Sequence, residues 1–345
     1  MERPITLAVD AMGGYFAPEE VVAAVAAASL RSVGDHPVYF TLIGDEGLVT
    51  DALFELDHNS ERIQVCHAPT AVGMSEPARV AVEDKPEASV AIACKLVAAG
   101  EADAIITAGN PGAAVLSGLK YFKLLEGVPR AALASVYPTP RVRGEKDDPF
   151  SLILDVGATL RAGPEELVAF AVMGSAYSKI MSKNPKPRVA LLSNSRESTI
   201  GPREIVGAYK ILSEHKSVNF YGNIEGHEIP RGLADVVVCE GYTGDVAIKI
   251  LEGVSEAAFD LARSAYNSKV AWRMGLKLLS GGIKQLKQLT DFEEYGGAPL
   301  LGLDQVMILC HPRSQRKAIG NALKIAIRSV RSKLPEAISE LMRDT

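Results

Sequence analysis

The sequence predicts an α/β protein with a mostly parallel sheet between helical layers. Short β-branched runs alternate with longer stretches rich in Ala, Leu, Glu and Lys along all 345 residues, which is the pattern of repeated strand–helix units. Most of the short runs are apolar without alternation, as expected of strands that are covered on both faces. Glycine-rich turns follow several of these runs and open the next helical stretch.

The individual elements follow from these patterns in chain order. Apolar runs predict strands at 5–10, 38–43, 62–66, 103–107, 131–136, 151–155, 188–193, 235–239 and 306–310. The stretches rich in helix-forming residues predict helices at 18–31, 87–99, 112–125, 164–183, 202–214, 243–265 and 314–333. The most loop-like stretch, 139–149, gives no sufficient reason to divide the chain. We therefore predict a single domain over residues 1–345.

Composition and charge exclude several classes of protein. The formal net charge is −5, so the chain as a whole is not built to bind nucleic acid. The common nucleotide-binding motifs are absent and the six histidines have no metal-ligand spacing, so we expect no cofactor and no metal. An apolar leader and a run of about 18 apolar residues are both missing. We predict a cytoplasmic protein whose four cysteines are reduced.

Two segments resemble each other and place glycines at equivalent points. DAIITAGNPGAAVL begins at Asp103, and DVVVCEGYTGDVAI begins at Asp235. Each runs from an aspartate through a short apolar run to a Gly-x-x-Gly turn, at 109–112 and 241–244, that opens a helix. The likeness is too short to establish a duplication. It indicates that two strands end in the same tight entry into a helix.

Polar residues and glycines follow the predicted strands. In open α/β sheets, ligands bind beyond the carboxyl ends of the strands, and glycine-rich turns at helix N-termini suit anions because free N–H groups and the helix dipole point at them. One such turn is commonly structural, but several together predict an anion site. The set comprises Asp10, Gly13, Gly14, Gly109, Asn110, Gly112, Asp155, Gly157, Asn194, Ser195, Gly241, Tyr242, Thr243, Gly244, Asp245 and Lys249. Among the histidines, His311 is a separate candidate because it ends the apolar run VMILC.

One segment differs in charge from the rest of the chain. Between Arg263 and Thr290 there are six basic residues and no acidic one, and the single tryptophan lies among them. The stretch 280–282 is expected to divide this segment into two short helices. A basic face beside an apolar face is typical of a helix that binds a membrane surface or an acidic partner. A hairpin packed on the core with a solvated basic side is the alternative. The candidate docking residues are Arg263, Lys269, Trp272, Arg273, Lys277, Lys284 and Lys287.

Seven longer stretches occur in an order that matches a known family. They are DAMGGYFAPE, EADAIITAGNPGA, LDVGAT, PEELVAFAVMGSAYS, YGNIEG, ADVVVCEGYTGDVAIKILEGV and YGGAPLLGLDQVMI. With them the chain resembles the bacterial phosphate acyltransferases called PlsX over nearly its whole length. The resemblance implies a three-layer α/β/α sandwich related to phosphotransacetylases and isocitrate-dehydrogenase-like folds, usually as a homodimer. It also implies acyl transfer from acyl carrier protein to inorganic phosphate in phospholipid synthesis, and peripheral binding to the inner face of the cell membrane through a protruding helical hairpin at about 252–292.

That chemistry suggests roles for the strand-end residues, because a phosphate oxygen must attack a thioester carbonyl. Asn110 is expected to donate to the carbonyl or oxyanion, and Lys249 to supply a cation. Asp10 and Asp155 are expected to orient the site or to act as acid–base groups, with a cap or turn as the alternative. Phosphate or acyl contacts are expected from Gly13, Gly14, Tyr15, Gly112, Gly157, Asn194, Asn223, Thr243, Gly244 and His311.

Several strand-end positions depart from the pattern of the family. The family usually has other residues at Tyr15, Pro111, Thr159, Asp245 and 312–315. We expect the fold to be retained and the site altered, with Tyr15 filling or reshaping the mouth of the pocket. Three outcomes stay open: the reaction continues with new cations such as Arg196 and Arg313, the substrate has changed, or the protein is a non-catalytic homologue that docks carrier protein or membrane. The fold class alone would also allow a nicotinamide-dependent dehydrogenase.

Overall fold

The computed structural model describes residues 4–31, 37–140, 149–268, 270–279, 281–282 and 296–343. Their strands are β1 (Ile5–Asp10), β2 (Val38–Gly44), β3 (Ile63–His67), β4 (Ala104–Thr107), β5 (Ala132–Pro138), β6 (Phe150–Leu154), β7 (Val189–Leu192), β8 (Phe220–Ile224), β9 (Val236–Val238), β10 (Ala298–Leu301) and β11 (Val306–Leu309). Their α-helices are α1 (Glu19–Ser29), α2 (Glu46–Phe54), α3 (Ala78–Asp84), α4 (Ser89–Ala98), α5 (Pro111–Tyr121), α6 (Pro164–Met181), α7 (Arg203–Glu214), α8 (Gly241–Ser268), α9 (Val270–Leu278), α10 (Arg316–Arg331) and α11 (Leu334–Arg343).

The strands of the described residues form one eleven-stranded sheet in the order β3-β2-β1-β4-β11-β10-β5-β6-β9-β7-β8. The first five strands of this order run parallel to one another, and so do the last four. Three antiparallel pairings, of β10 with β11, β10 with β5 and β5 with β6, lie between these halves. An odd number of reversals means that the halves run in opposite directions. The sheet is mostly parallel, as predicted, but within two opposed halves.

The register of the central strands brings the carboxyl ends of both halves to one level. Leu309, the last residue of β11, lies opposite Ala298, and Leu301 at the other end of β10 lies opposite Ala132. Ala134 in turn lies opposite Leu154, the last residue of β6. Counting along these strands places the ends of β11 and β6 one residue apart in height. With three strand spacings between them, they lie roughly 14 Å apart across the sheet.

Helices cover both faces of the sheet and bury its apolar side chains. In β4, Ile106 packs with α1 and α10, whereas its neighbour Ile105 packs with α4 and α5 on the opposite face. In the second half, Leu154 packs with α6 and α7, and Ile153 packs with the start of α8. Successive residues of a strand point to opposite faces, so these contacts define three layers. The predicted α/β/α sandwich is confirmed.

Several short elements were not predicted from the sequence. They are β8, β10, α2, α3 and α11. β10 has four residues and includes a proline, and β8 includes Gly222 at φ 108°, so neither gives a clear apolar run. The predicted helix 243–265 is longer than expected, because α8 begins at Gly241 and ends at Ser268. α9 ends at Leu278, just before the predicted break at 280–282, and the segment 283–295 lies outside the described residues.

Candidate functional site

A cavity of about 440 Å³ lies where the strand ends of the two halves meet. Pro111 and His311 reach it from β4 and β11 in one half, and Gly157 and Gly241 reach it from β6 and β9 in the other. β5 forms a wall between these groups with residues 133 and 135–138. Strand ends of both halves therefore meet at one cavity, because the two opposed halves are staggered.

Asp155 organises the turn after β6 on which one side of the cavity is built. Its carboxylate is fully buried and accepts N–H bonds from Leu133 at 2.9 Å, Gly157 at 3.0 Å, Ala158 at 2.9 Å and Thr159 at 2.7 Å. Burial raises the pKa of Asp155, and these hydrogen bonds act in the opposite direction. Because its oxygens already accept four backbone donors, we regard Asp155 as a positioning residue for this turn.

The first turn of α8 packs directly on that turn, and two glycines permit it. A Cβ at Gly241 would lie 2.6 Å from the Oδ2 atom of Asp155, and one at Gly244 would overlap the Asp155 carbonyl oxygen. The Thr159 hydroxyl accepts a hydrogen bond from the Gly241 amide at 3.0 Å. The Gly-x-x-Gly pattern is therefore required here for the close approach of helix and turn.

Thr243 and Glu240 close the N-terminus of α8. The Glu240 carboxylate accepts hydrogen bonds from the Thr243 amide, at 3.2 Å, and from the Thr243 hydroxyl. A carboxylate at this position satisfies a free N–H and interacts favourably with the helix dipole. An anion placed at the N-terminus of α8 would therefore compete with Glu240. Thr243 and Gly244 do not line the cavity.

Charged side chains of the second and third turns of α8 do line it. Lys249 donates from Nζ to Oδ2 of Asp245 at 2.6 Å, one helical turn earlier. Glu252 follows on the same side of the cavity. Burial raises the pKa of Glu252, and the carboxylates of Glu256 and Asp245 add to this effect. The cation that we expected at Lys249 is present, with an acidic neighbour on the same helix.

His311 and Ser314 face the cavity from the loop between β11 and α10. Nδ1 of His311 accepts a hydrogen bond from the Arg313 amide at 3.1 Å. Burial lowers the pKa of His311, and the charges of Arg313 and Lys249 lower it further, so the ring is neutral at pH 7 and carries its proton on Nε2. The Ser314 hydroxyl is buried and has no hydrogen-bond partner among the described residues. It was not among our candidates, although it lies in a stretch that departs from the family.

Much of the remaining cavity wall is apolar. Its hydrophobic side chains come from α5, β5, the turn after β6, α8 and β11, namely Val115, Leu133, Val136, Val156, Leu160, Ile248 and Leu309. A concave apolar surface with a few convergent polar groups is the usual form of a small-molecule site. The arrangement suits a ligand with one anionic end and one hydrocarbon end.

Asp10 and Gly13 form a tightly packed connection between β1 and β4. Oδ2 of Asp10 accepts from the Thr107 hydroxyl at 2.6 Å, and Oδ1 accepts from the Met12 amide at 3.2 Å. Burial raises the pKa of Asp10, against the effect of these bonds. A Cβ at Gly13 would lie 2.6 Å from the Gly109 nitrogen. The adjoining void has about 10 Å³, which is room for about one water molecule and not for a phosphate.

Asn110 caps α5 and anchors a neighbouring loop. Its Oδ1 accepts from the Ala113 amide at 3.1 Å, and its Nδ2 lies 3.0 Å from the Glu76 carbonyl oxygen and 3.2 Å from that of Gly73. Its amide donors are therefore directed at carbonyl groups of the protein. Gly112, one of the expected phosphate contacts, is exposed on the first turn of α5. Neither residue lines the large cavity.

The remaining candidates lie outside the cavity lining. Tyr15 is 63% exposed, and its amide donates to the Pro312 carbonyl oxygen at 2.9 Å, with Gly14 beside it at φ 113°. The expectation that Tyr15 fills the pocket mouth does not match this placement. Asn194 and Asn223 follow or end the strands β7 and β8 at the far edge of the sheet.

Of the two new cations considered from the sequence, Arg196 pairs with the buried carboxylate of Glu228 instead of entering the site. Arg313 is exposed beside His311. Among the described residues, no group of three His, Cys, Asp or Glu side chains is arranged to hold a metal ion.

The basic segment lies mainly on the exposed parts of α8 and α9. Trp272 is 50% exposed and Leu278 87% exposed, and both Arg273 and Lys277 are exposed as well. Arg263 lies on the outer part of α8, where apolar side chains such as Leu261 are also exposed. The candidates Lys269, Lys284 and Lys287 lie outside the described residues. No helix of the described residues has the length and hydrophobicity that crossing a membrane requires.

Solved structures of two kinds of enzyme share this fold. A phosphotransacetylase from Streptococcus pyogenes is similar with a TM-score of 0.59 and 16% sequence identity, covering 97% of this chain and 94% of that protein. A 4-hydroxythreonine-4-phosphate dehydrogenase from Klebsiella pneumoniae has a TM-score of 0.51 and 13% identity, covering 96% of this chain and 100% of that protein. At these identities the likeness establishes the fold alone.

Sequence comparison defines the family. The profile of the family described as fatty acid synthesis protein matches residues 5–337. A phosphate acyltransferase from Moorella thermoacetica is 37% identical, covering 97% of this chain and 95% of that protein. A phosphate acyltransferase from Citrifermentans bemidjiense is 39% identical, and the alignment covers 97% of this chain and 93% of that protein. The chain therefore belongs to the phosphate acyltransferase, or PlsX, family of fatty acid synthesis proteins.

Proposed function

We propose that this protein transfers an acyl group from the thioester of acyl carrier protein to inorganic phosphate, and so releases acyl phosphate and free carrier protein. The observation that carries the proposal is a cavity, in a chain of this family, whose lining combines apolar side chains with a few polar ones. Lys249, His311 and Ser314 are among the polar residues. The volume of about 440 Å³ falls in the usual range for small-molecule sites.

The polar side of the cavity supports binding of phosphate. Lys249 supplies a cation, neutral His311 an Nε2–H donor, and Ser314 a buried hydroxyl without a partner among the described residues. The Lys249 ammonium group has three N–H donors, so the hydrogen bond to Asp245 leaves others for phosphate. Binding at this site orients the nucleophile, and orientation alone can contribute several kcal/mol to catalysis.

The chemical step then balances without a cofactor. A phosphate oxygen attacks the thioester carbon, the C–O bond forms, and the C–S bond breaks. The sulfur of the carrier takes up the proton that the phosphate gives up and leaves as a thiol. A remaining N–H donor of Lys249 is suited to stabilise the oxyanion that develops at the carbonyl, while the apolar side chains of the lining hold the acyl chain.

Thiol release tests this proposal directly. Purified protein is incubated with an acyl carrier protein thioester, with and without phosphate, and acyl phosphate is trapped with hydroxylamine as the hydroxamate. We expect phosphate-dependent thiol release, with the KM for phosphate raised in Lys249→Gln. Lys210→Gln, an exposed lysine on α7, serves as the matched control. Thiol release no faster than the uncatalysed rate in both conditions would refute the proposal and favour a non-catalytic docking homologue.

We also propose peripheral membrane association and a homodimer. The exposed apolar residues of α8 and α9, Leu261, Trp272, Met274 and Leu278, accompany basic residues there, a combination suited to an anionic lipid surface. Membrane association is measured by sedimentation with vesicles of phosphatidylglycerol, compared with vesicles of phosphatidylcholine. Equal binding to both kinds of vesicle would contradict it.

Dimerisation is measured by analytical ultracentrifugation. A monomer at micromolar concentration would contradict the proposed homodimer.

A further inference from the structure

The second basic region of the chain lies on α10, away from the segment that stood out in the sequence. Between Gln305 and Pro335 there are seven basic residues and no acidic one, in a chain whose net charge is −5. α10 buries one face through Ala322, Leu323 and Ile327. Arg316, Lys317, Lys324 and Arg328 are all exposed.

This charged face borders a groove of about 480 Å³ between α1 and α10. Its lining includes the small residues Ala24, Ala28 and Gly320 and the apolar side chains of Phe40, Leu323 and Ile327. A Cβ at Gly320 would meet no atom within 4 Å, so the groove is open at that point. Arg316, Lys317 and Lys324 stand along one rim, and Arg31 contributes from the end of α1. We call this feature the basic groove.

Two exposed cations of α10, Arg316 and Arg328, are available to a partner. Glu20 of α1 also lines it, and its carboxylate accepts the backbone N–H of Arg316 at 2.7 Å, which caps α10. Lys324 donates to the neutral side chain of Asn321 at 2.9 Å. In the part of the chain that the structure describes, the guanidinium groups of Arg313, Arg316 and Arg328 form no ion pair.

One end of the basic groove opens beside the cavity. Ser314 lines the cavity, and α10 begins two residues later at Arg316, which is at most about 7 Å of chain. Tyr15 and Phe16, 63% and 42% exposed, lie at this end. The Tyr15 amide donates a hydrogen bond to the Pro312 carbonyl oxygen, and the Phe16 carbonyl oxygen accepts one from the Glu20 amide. Exposed aromatic side chains beside a charged rim are common anchors of protein interfaces.

We propose that the basic groove docks an acidic helix of the carrier protein that delivers the acyl thioester to the cavity. This inference rests on the proposed function and adds to it the surface that recognises the donor. An amphipathic helix seated between α1 and α10 would place its acidic residues against Arg316 and Lys324. A thioester carried on a flexible prosthetic arm would then enter the cavity past Ser314.

The shape of this surface favours a helical protein over a lipid surface. Binding to lipid requires large apolar side chains that enter the acyl region. None of the exposed large hydrophobic residues in the described chain lies on α10. A groove between two helices, with Ala24, Ala28 and Gly320 in its lining, leaves room for a third helix to pack there. The exposed Trp272 and Leu278 on α9 suit the membrane instead, so the two basic regions would have different partners.

The test compares substrates with and without a carrier. The variants are Arg316→Glu with Lys324→Glu, which reverses two charges of the rim, and Gly320→Trp, which blocks the groove where space is open. The control variant is Lys210→Glu with Lys216→Glu. It makes the same charge change at one exposed lysine within α7 and one just after it. KM and kcat are measured with acyl carrier protein thioester and with a carrier-free acyl-pantetheine thioester. Melting curves verify that each variant folds.

We expect the KM for the carrier thioester to rise about ten-fold in both groove variants, with kcat and the carrier-free reaction unchanged and the control variant like the wild type. An unchanged KM for the carrier, or an equal loss with both thioesters, would overturn the docking assignment. Loss of binding to phosphatidylglycerol vesicles with the carrier KM retained would also overturn it, in favour of a lipid surface.

Direct binding separates this inference from the proposed function. The affinity of immobilised carrier protein for each variant is measured at low and high salt. If the wild type releases no thiol but its carrier affinity is lost in both groove variants, docking stands and the proposed reaction fails. If thiol release occurs and carrier affinity is the same in all variants, the reaction stands and the docking assignment fails.

Discussion

Replacing Asp155 by Asn tests whether this buried carboxylate positions the turn after β6 or takes part in chemistry. The side chain keeps its size, but one of the two acceptor oxygens becomes an NH₂ group. If the remaining oxygen serves Leu133, Gly157 and Ala158, the NH₂ group faces the Thr159 amide, which now donates 2.7 Å to Oδ2. Two donors then oppose each other in a fully buried site.

The expected cost follows from these contacts. A buried donor without a partner costs about 1–3 kcal/mol, and three charge-assisted bonds become ordinary ones. Relief from burying a charge offsets part of this loss. We expect Asp155→Asn to lower the free energy of unfolding by about 2–4 kcal/mol. Because Gly241 and Gly244 pack on Asp155, the start of α8 should shift, and activity should fall together with stability.

Urea denaturation followed by circular dichroism measures the unfolding free energy, and phosphate-dependent thiol release measures activity well below the transition. Asp155→Glu is the companion variant, since it keeps the charge but does not fit the space. If Asp155→Asn changes the unfolding free energy by less than about 0.5 kcal/mol and still abolishes kcat, Asp155 acts in the reaction and our reasoning is wrong.

Four further outcomes can be measured. Gly244→Ala should give little soluble protein, because its Cβ overlaps the Asp155 carbonyl oxygen; a normal yield and melting temperature would contradict the packing. Ser314→Ala should raise the KM for phosphate about five-fold through loss of one hydrogen bond of about 1 kcal/mol, and an unchanged KM would remove Ser314 from the site. Asn110→Ala should destabilise the protein by about 1–2 kcal/mol through loss of a helix cap and expose residues 73–76 to proteolysis; unchanged cleavage would show that this loop is held by other contacts. Burial lowers the pKa of His215 in the folded protein. As the pH falls below about 6.5, the unfolded chain therefore binds a proton at His215 more readily than the folded protein does, and the free energy of unfolding decreases. His215→Leu should flatten that part of the stability–pH curve, and an unaltered curve would exclude His215 as its cause.

The layered fold can be predicted from the sequence because it depends on local patterns of apolar and polar residues. The runs that became β1, β4 and β9 show no regular alternation of apolar and polar residues, and burial on both faces explains why. The Gly-x-x-Gly turn at 241–244 was recognised as a tight entry into a helix, and the structure gives the reason in the packing of α8 on Asp155. The four-residue β10 was missed because so short a run has no periodicity to detect.

The location of the site could not be read in the same way. Asp10 and Asn110 follow strand ends, as the candidate residues should, yet their polar atoms are engaged by neighbouring backbone and side-chain groups. Tyr15, the residue that departs most visibly from the family, is exposed at the end of the basic groove. Ser314 was not predicted because a lone serine in a loop carries no signal until its surroundings are known.

By itself the sequence determined the alternation of strands and helices, the tight turns at the strand ends and the membership in an acyltransferase family. Only the tertiary structure decided which strand ends meet. The physical reason is register: the pairings through β10 and β5 reverse the second half of the sheet and bring Leu154 within one residue of the height of Leu309. Lys249 and His311 consequently face one cavity, although they are far apart in the chain and come from opposed halves of the sheet.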